Sequence, residues 1–197
     1  DGLEWGKIIA APIRDDIKYG GVRALIKVKL GSAQITLQID VGFGDSVTPE
    51  VTEMEWKGIL DYPSARLRAY PPETVIAEKF EAAVNLGMNN SRMKDFFDLD
   101  WLARHQEFDA EVLGQAIRNT FERRQTVLPD EVPIALTEGF SLDPTKRIQW
   151  SAFLRKNRLE SDSLDEVIQR LNTFLNPFCS SKKPDPKLRW KPEQGWL

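Results

Sequence analysis

The segments 22–30 and 33–41 each alternate apolar with other residues and meet across Gly31-Ser32, a hairpin signal that fixes a register as well as a strand pair. With Gly31 and Ser32 as the loop, Leu30 faces Ala33, and pairing proceeds one residue at a time away from the turn. Val22, Ala24, Ile26, Val28 and Leu30 then share a face with Val41, Ile39, Leu37, Ile35 and Ala33. The other face sets Arg23, Leu25, Lys27 and Lys29 against Asp40, Gln38, Thr36 and Gln34. The apolar face is expected to be core and the other to be largely polar. A further short apolar run, Ile8-Ile9-Ala10, makes residues 1–48 β throughout.

A connection containing Gly and Pro spans residues 42–72, after which the pattern turns helical to about residue 175. Tyr70-Pro71-Pro72 opens a helix carrying Val75, Ile76, Phe80, Ala83, Val84 and Leu86 at helical spacing, and Gly87 ends it. Ser91 is expected to cap a second helix with Met93, Phe96, Phe97, Leu99 and Leu102. A third runs from near Asp109 to Arg124, and a fourth from Asp143-Pro144 to about Asn157. Ser163-Leu164-Asp165-Glu166 fits a capping box before a last helix to Leu175. The basic, proline-rich tail 176–197 is expected to be extended or loosely docked.

Composition narrows the function classes. With 197 residues, 41% hydrophobic and 10% aromatic, the chain is too apolar for disorder and long enough for one or two compact units. A net charge of −3 argues against a protein that wraps nucleic acid through bulk basicity, so any such site must be local. One cysteine, Cys179, and one histidine, His105, exclude an internal disulfide framework and zinc clusters built on Cys or His. A metal here needs carboxylates. No apolar run reaches membrane-spanning length, and the default location is the cytoplasm.

Few residues invite chemistry. Asp40 ends a strand on the polar face beside Gly42 and Gly44, where a carboxylate is well placed for a divalent cation, though alone it reads as a surface acid. The register makes Arg23 its direct partner, so Asp40 is either ion-paired for structure or shares a site with a phosphate-binding cation. Lys79 lies off the apolar stripe of its helix and reads as solvated. Asp95 and Asp98 stand at i, i+3 near a helix N-terminus with Arg92 and Lys94 alongside, an arrangement that ordinarily stabilises the helix dipole. His105 falls near the C-terminal end of that helix and Cys179 reads as a passive thiol.

Three stretches in order carry a resemblance: Gln38-Ile39-Asp40-Val41-Gly42-Phe43-Gly44-Asp45, then Tyr70-Pro71-Pro72-Glu73-Thr74-Val75-Ile76-Ala77-Glu78-Lys79, then Asn90-Ser91-Arg92-Met93-Lys94-Asp95-Phe96-Phe97-Asp98. Together with Gln149-Trp150-Ser151-Ala152-Phe153-Leu154, they resemble the AbiEii/AbiGii toxin family of nucleotidyltransferase-like proteins over all but the tail. The resemblance implies an α+β fold, a nucleotidyltransferase-like mixed sheet followed by a helical bundle. It implies transfer of a nucleotide from an NTP with Mg2+, an acceptor that could be RNA, and an antitoxin encoded alongside. Asp40 resembles a carboxylate of the metal site, Lys79 the lysine that steadies phosphates, and Asp95 the downstream catalytic acid. Arg23, Arg92, Lys94 and Asp98 join Lys79 as the nucleotide-binding set.

The family's leading Gly-Gly or Gly-Ser element with Asp-x-Asp has no counterpart before Asp40: Asp15-Asp16 are adjacent, and Gly20-Gly21 follow them. The chain also opens on Asp1. The expectation is therefore a truncated unit: residues 1–70 as the C-terminal part of the β core, 71–175 as the helical region, 176–197 as the tail, and an incomplete catalytic site. The alternative is a non-catalytic helical module that binds an antitoxin or RNA.

Overall fold

The computed structural model describes residues 2–13, 20–59, 61–179 and 184–197, so Asp15-Asp16 lie outside the described residues. The chain forms two compact units, Asp1–Asp45 and Ser46–Leu197.

The first unit is an antiparallel sheet in the order β1 (Leu3–Pro12), β2 (Gly21–Leu30), β3 (Ala33–Gly42). The β2–β3 register runs from Leu30↔Ala33 through Arg23↔Asp40 to Gly21↔Gly42, as the turn and the alternation require. Gly31 takes a positive φ of 58°, a conformation that suits a residue without Cβ. Across β1, Trp5 faces Val28 and Ile8 faces Ile26, with an irregularity between them that keeps both on the apolar face. This face is not the core that its pattern suggests. Val28 is buried, but Trp5 is 60% exposed, Ile8 66% and Ile35 60%. Alternation fixes which side chains share a face, whereas burial requires a second layer, and a lone sheet cannot supply one for itself.

The second unit opens with an antiparallel pair, β4 (Thr52–Trp56) and β5 (Ala65–Ala69), inside the stretch read from sequence as a connection. Glu53 faces Arg68 and Glu55 faces Arg66, so opposite charges set its register. Helix α1 (Pro72–Leu86) follows, with proline in its first turn and Gly87 at its C-terminal end with φ 49°. Helix α2 (Met93–His105) starts two residues beyond Ser91. The expected Ser91 cap is not formed: the Asn90 side-chain oxygen accepts the Arg92 N–H at 2.9 Å, a local turn that competes with a serine cap. The short strand β6 (Phe108–Asp109) leads into α3 (Ala110–Arg124), where the Asp109 carboxylate accepts the Glu111 N–H. After the one-turn α4 (Glu138–Ser141), α5 (Pro144–Asn157) is capped by Asp143, and α6 (Leu164–Leu175) by the Ser163–Glu166 capping box.

Helix α1 packs chiefly on α3, and α2 on α6. Phe80, Phe96, Phe121, Phe140 and Phe174 are fully buried between these helices, each worth about 1.5–3 kcal/mol against exposure. The tail departs from its expected looseness. Strands β7 (Arg189–Lys191) and β8 (Gly195–Trp196) add to β6, and the Trp190 indole, 3% exposed, donates to the Ala103 carbonyl at 2.7 Å. The buried Trp190 and the half-buried Trp196 outweigh the disorder that a basic, proline-rich composition favours. No helix among the described residues is long and apolar enough to cross a membrane.

Candidate functional site

The residues singled out from sequence form two groups, one in each unit. In the first, the Arg23 guanidinium donates to both oxygens of Asp40, Nε to Oδ1 and Nη2 to Oδ2, each at 2.8 Å. Gln38 adds a third bond to Oδ2 at 3.1 Å. The hydrogen bonds from Arg23 are the main reason the Asp40 carboxyl sits below its usual value. The hairpin register alone produces this pair, because residues facing each other on the same side of a sheet lie within reach of a guanidinium.

In the second group, α1 and α2 converge on one lysine. Lys79, near the middle of α1, donates from Nζ to Asp95 Oδ1 at 2.6 Å and meets Asp98 Oδ2 at 2.8 Å. The spacing of Asp95 and Asp98 puts both on the same face of α2, where a single ammonium can bridge them. Lys94 also pairs with Asp98, and Arg92 lies 3.9 Å from Asp95. Lys79 is not the solvated lysine that its helix stripe suggests: its side chain is 17% exposed, as is that of Asp95. Burial disfavours its ammonium, but hydrogen bonds and charge from Asp95 and Asp98 outweigh that penalty and hold the pKa above the ordinary lysine value. Of the residues named from sequence, five therefore meet here: Lys79, Asp95, Asp98, Arg92 and Lys94.

Two supports of this cluster carry no signal in local sequence. The Asn90 side chain fixes the start of α2, and its backbone carbonyl accepts the buried Lys146 ammonium from α5 at 2.9 Å. Lys146, 5% exposed, also lies over the Phe140 ring at 5.2 Å. A lysine on a predicted helix reads as surface, and only the packing of α5 against the start of α2 reveals otherwise. His105 ends α2 as expected, its Nδ1 2.7 Å from the Trp101 carbonyl. Burial pushes the Cys179 thiol up to about 12, which fits a passive role.

A family model described as nucleotidyl transferase AbiEii toxin, type IV toxin–antitoxin system, matches residues 4–174. The chain belongs to this family. The match spans both groups of candidate residues and stops before the tail. No curated protein and no solved structure matched the chain. Membership of the AbiEii family implies a nucleotide substrate, an antitoxin partner and, in general, the use of metal. Among the described residues, however, no group of three or more His, Cys, Asp or Glu side chains converges as a metal site. Asp40 is held on both oxygens by Arg23, and Asp95 and Asp98 share Lys79. These carboxylates, each already facing a cation, do not fit a divalent metal in the arrangement seen.

Proposed function

We propose that this AbiEii-family chain acts as a nucleotidyltransferase toxin of a bacterial toxin–antitoxin or abortive-infection system, moving a nucleotide from an NTP to an acceptor such as RNA. The observation that carries the reading is the convergence of Lys79, Asp95 and Asp98, which lie in two separate family-like motifs, on a single half-buried ion cluster. With Arg92 and Lys94 included, cations outnumber carboxylates at the start of α2, and helix N-termini favour anions as well. Phosphoryl-type transfer relies on positioning and charge neutralisation more than on a covalent nucleophile, so such a cluster suits it.

In this reading, Lys79 holds the phosphates, and Asp95 aims the ammonium while the site is empty and serves as the catalytic carboxylate during transfer, taking the proton of the acceptor group. Arg92, Lys94 and Asp98 set the charge around the incoming triphosphate.

The test is growth inhibition by the encoded protein in its bacterial host, alongside transfer of label from α-labelled NTPs to total RNA. Asp95→Asn, which keeps the side-chain shape and leaves Lys79 its partner Asp98, should abolish both while the chain remains folded. Full toxicity in Asp95→Asn and Lys79→Ala would refute the catalytic reading in favour of a non-catalytic module that binds an antitoxin or RNA.

A further inference from the structure

Beside the ion cluster lies an open pocket of about 370 Å3, lined by Val75, Phe97, Asp98, Trp101 and Leu102. Its size falls in the ~300–1,000 Å3 range of small-molecule sites. Asp98 belongs to both features: its carboxylate meets Lys79 at 2.8 Å and it forms part of the pocket wall. The helices place the two side by side, because Val75 precedes Lys79 by about one turn on α1 and Trp101 follows Asp98 by about one turn on α2. A turn is about 5.4 Å, a span that a ribose can bridge.

The pocket is lined mainly by apolar and aromatic side chains. Trp101, 47% exposed, presents its indole in the pocket wall. It is also held in place: the His105 ring stacks on it at 4.5 Å and 13°, and His105 Nδ1 lies 2.7 Å from the Trp101 carbonyl. Phe97 is fixed from behind by Trp150 at 6.5 Å and Phe153 at 5.8 Å. Rigid aromatic walls reduce the ordering cost of binding, and base stacking on such a wall tolerates any base.

We propose that this pocket receives the base of the nucleotide, with Trp101 as the stacking surface and Lys79 taking the phosphates. The proposal rests on the nucleotidyltransferase reading for its phosphate half alone. Charge complementarity favours a nucleotide over an uncharged aromatic ligand, because an apolar slot here adjoins an excess of cations.

The test uses the chain labelled with 5-fluorotryptophan, with Trp101→Phe assigning the Trp101 fluorine resonance. The probes are adenosine, ATP and inorganic tripolyphosphate. Adenosine and ATP should both shift the Trp101 resonance, and tripolyphosphate should leave it in place. Trp101→Ala should weaken ATP binding about tenfold without changing tripolyphosphate binding, in keeping with the loss of one stacked base. Lys79→Ala should bring ATP down to the affinity of adenosine.

An unmoved Trp101 resonance with adenosine and ATP, or unchanged ATP binding by Trp101→Ala, overturns the base pocket. A Trp101 shift with adenosine, combined with ATP that binds no tighter than adenosine and no effect of Lys79→Ala, upholds the pocket and overturns the phosphate role of the cluster. Trp101→Phe keeps an aromatic wall and should bind ATP within a few-fold of wild type; if it loses binding as fully as Trp101→Ala, stacking is not the cause.

Discussion

Removing the lysine at the centre of the α1–α2 cluster strands two carboxylates. In Lys79→Ala, Asp95 and Asp98 keep their positions on one face of α2 but lose the ammonium between them. Exposed ion pairs are worth about 0–1 kcal/mol, and breaking a fully buried one costs about 3–5 kcal/mol. Lys79 and Asp95 expose 17% of their side chains and Asp98 26%, which puts the cluster nearer the buried case, while Lys94 and Arg92 remain to serve the carboxylates. An intermediate cost of about 2 kcal/mol follows, or a fall in melting temperature of about 4–8 °C for a chain of this size. The pH dependence has a definite sign. Lys79 has a raised pKa in the folded chain, so its contribution is complete below the ordinary lysine value of about 10.4 and is lost as pH rises through the folded value. The gap between wild type and variant should therefore persist across neutral pH and close in strong alkali. Scanning calorimetry at several pH values measures it, with Lys79→Met controlling for the lost stem. Adding Asp98→Asn to Lys79→Ala should restore part of the loss by relieving the repulsion. A Lys79→Ala chain that melts with wild type at neutral pH, or a double variant less stable than the single, would refute the ion-cluster argument.

Trp190→Ala should cost about 3–5 kcal/mol in urea unfolding, because it removes a buried indole and orphans the Ala103 carbonyl; a loss under 1 kcal/mol would mean that the tail does not dock as described. Cys179, 4% exposed and with its thiol pushed up to about 12, should resist Ellman's reagent at pH 8 in the native chain and react once unfolded; rapid native labelling would contradict its burial. The apolar face of the β1–β3 sheet should bind an apolar-surface dye, and Ile35→Lys with Ile8→Lys should reduce that signal with little effect on the melting of the helical unit; dye binding unchanged by both substitutions would locate the exposed surface elsewhere.

The parts of this molecule that sequence makes legible are those decided within a few residues. Gly31-Ser32 and the alternation beside it determine the register that joins Arg23 to Asp40, and Pro72, Gly87, Asp143 and Ser163 mark helix ends through backbone chemistry. What escaped depends on distant partners. The β4–β5 pair lies among turn-forming residues, and its register shows only when Glu53 and Glu55 are set against Arg68 and Arg66. The tail reads as loose until Trp190 and Trp196 meet Phe174, whose position depends on the packing of α6. The sheet face shows the converse: its pattern is that of a core, yet pattern specifies a face and not what covers it.

The candidate site belongs to this second kind, which explains why residue-by-residue reading and family resemblance pulled in different directions. Considered on α2 alone, Asp95 and Asp98 are ordinary first-turn acids, and on α1 alone Lys79 is an ordinary polar residue. Each gains a specific role only when the helices bring the ammonium within 2.6–2.8 Å of both carboxylates. That pairing has a chemical consequence. A half-buried lysine left alone would tend to lose its proton, whereas one held between two aspartates stays charged and oriented while the site is empty. On the function proposed above, an incoming polyphosphate would meet a cation already in position and have only to compete for it, at the expense of bonds that Arg92 and Lys94 could replace.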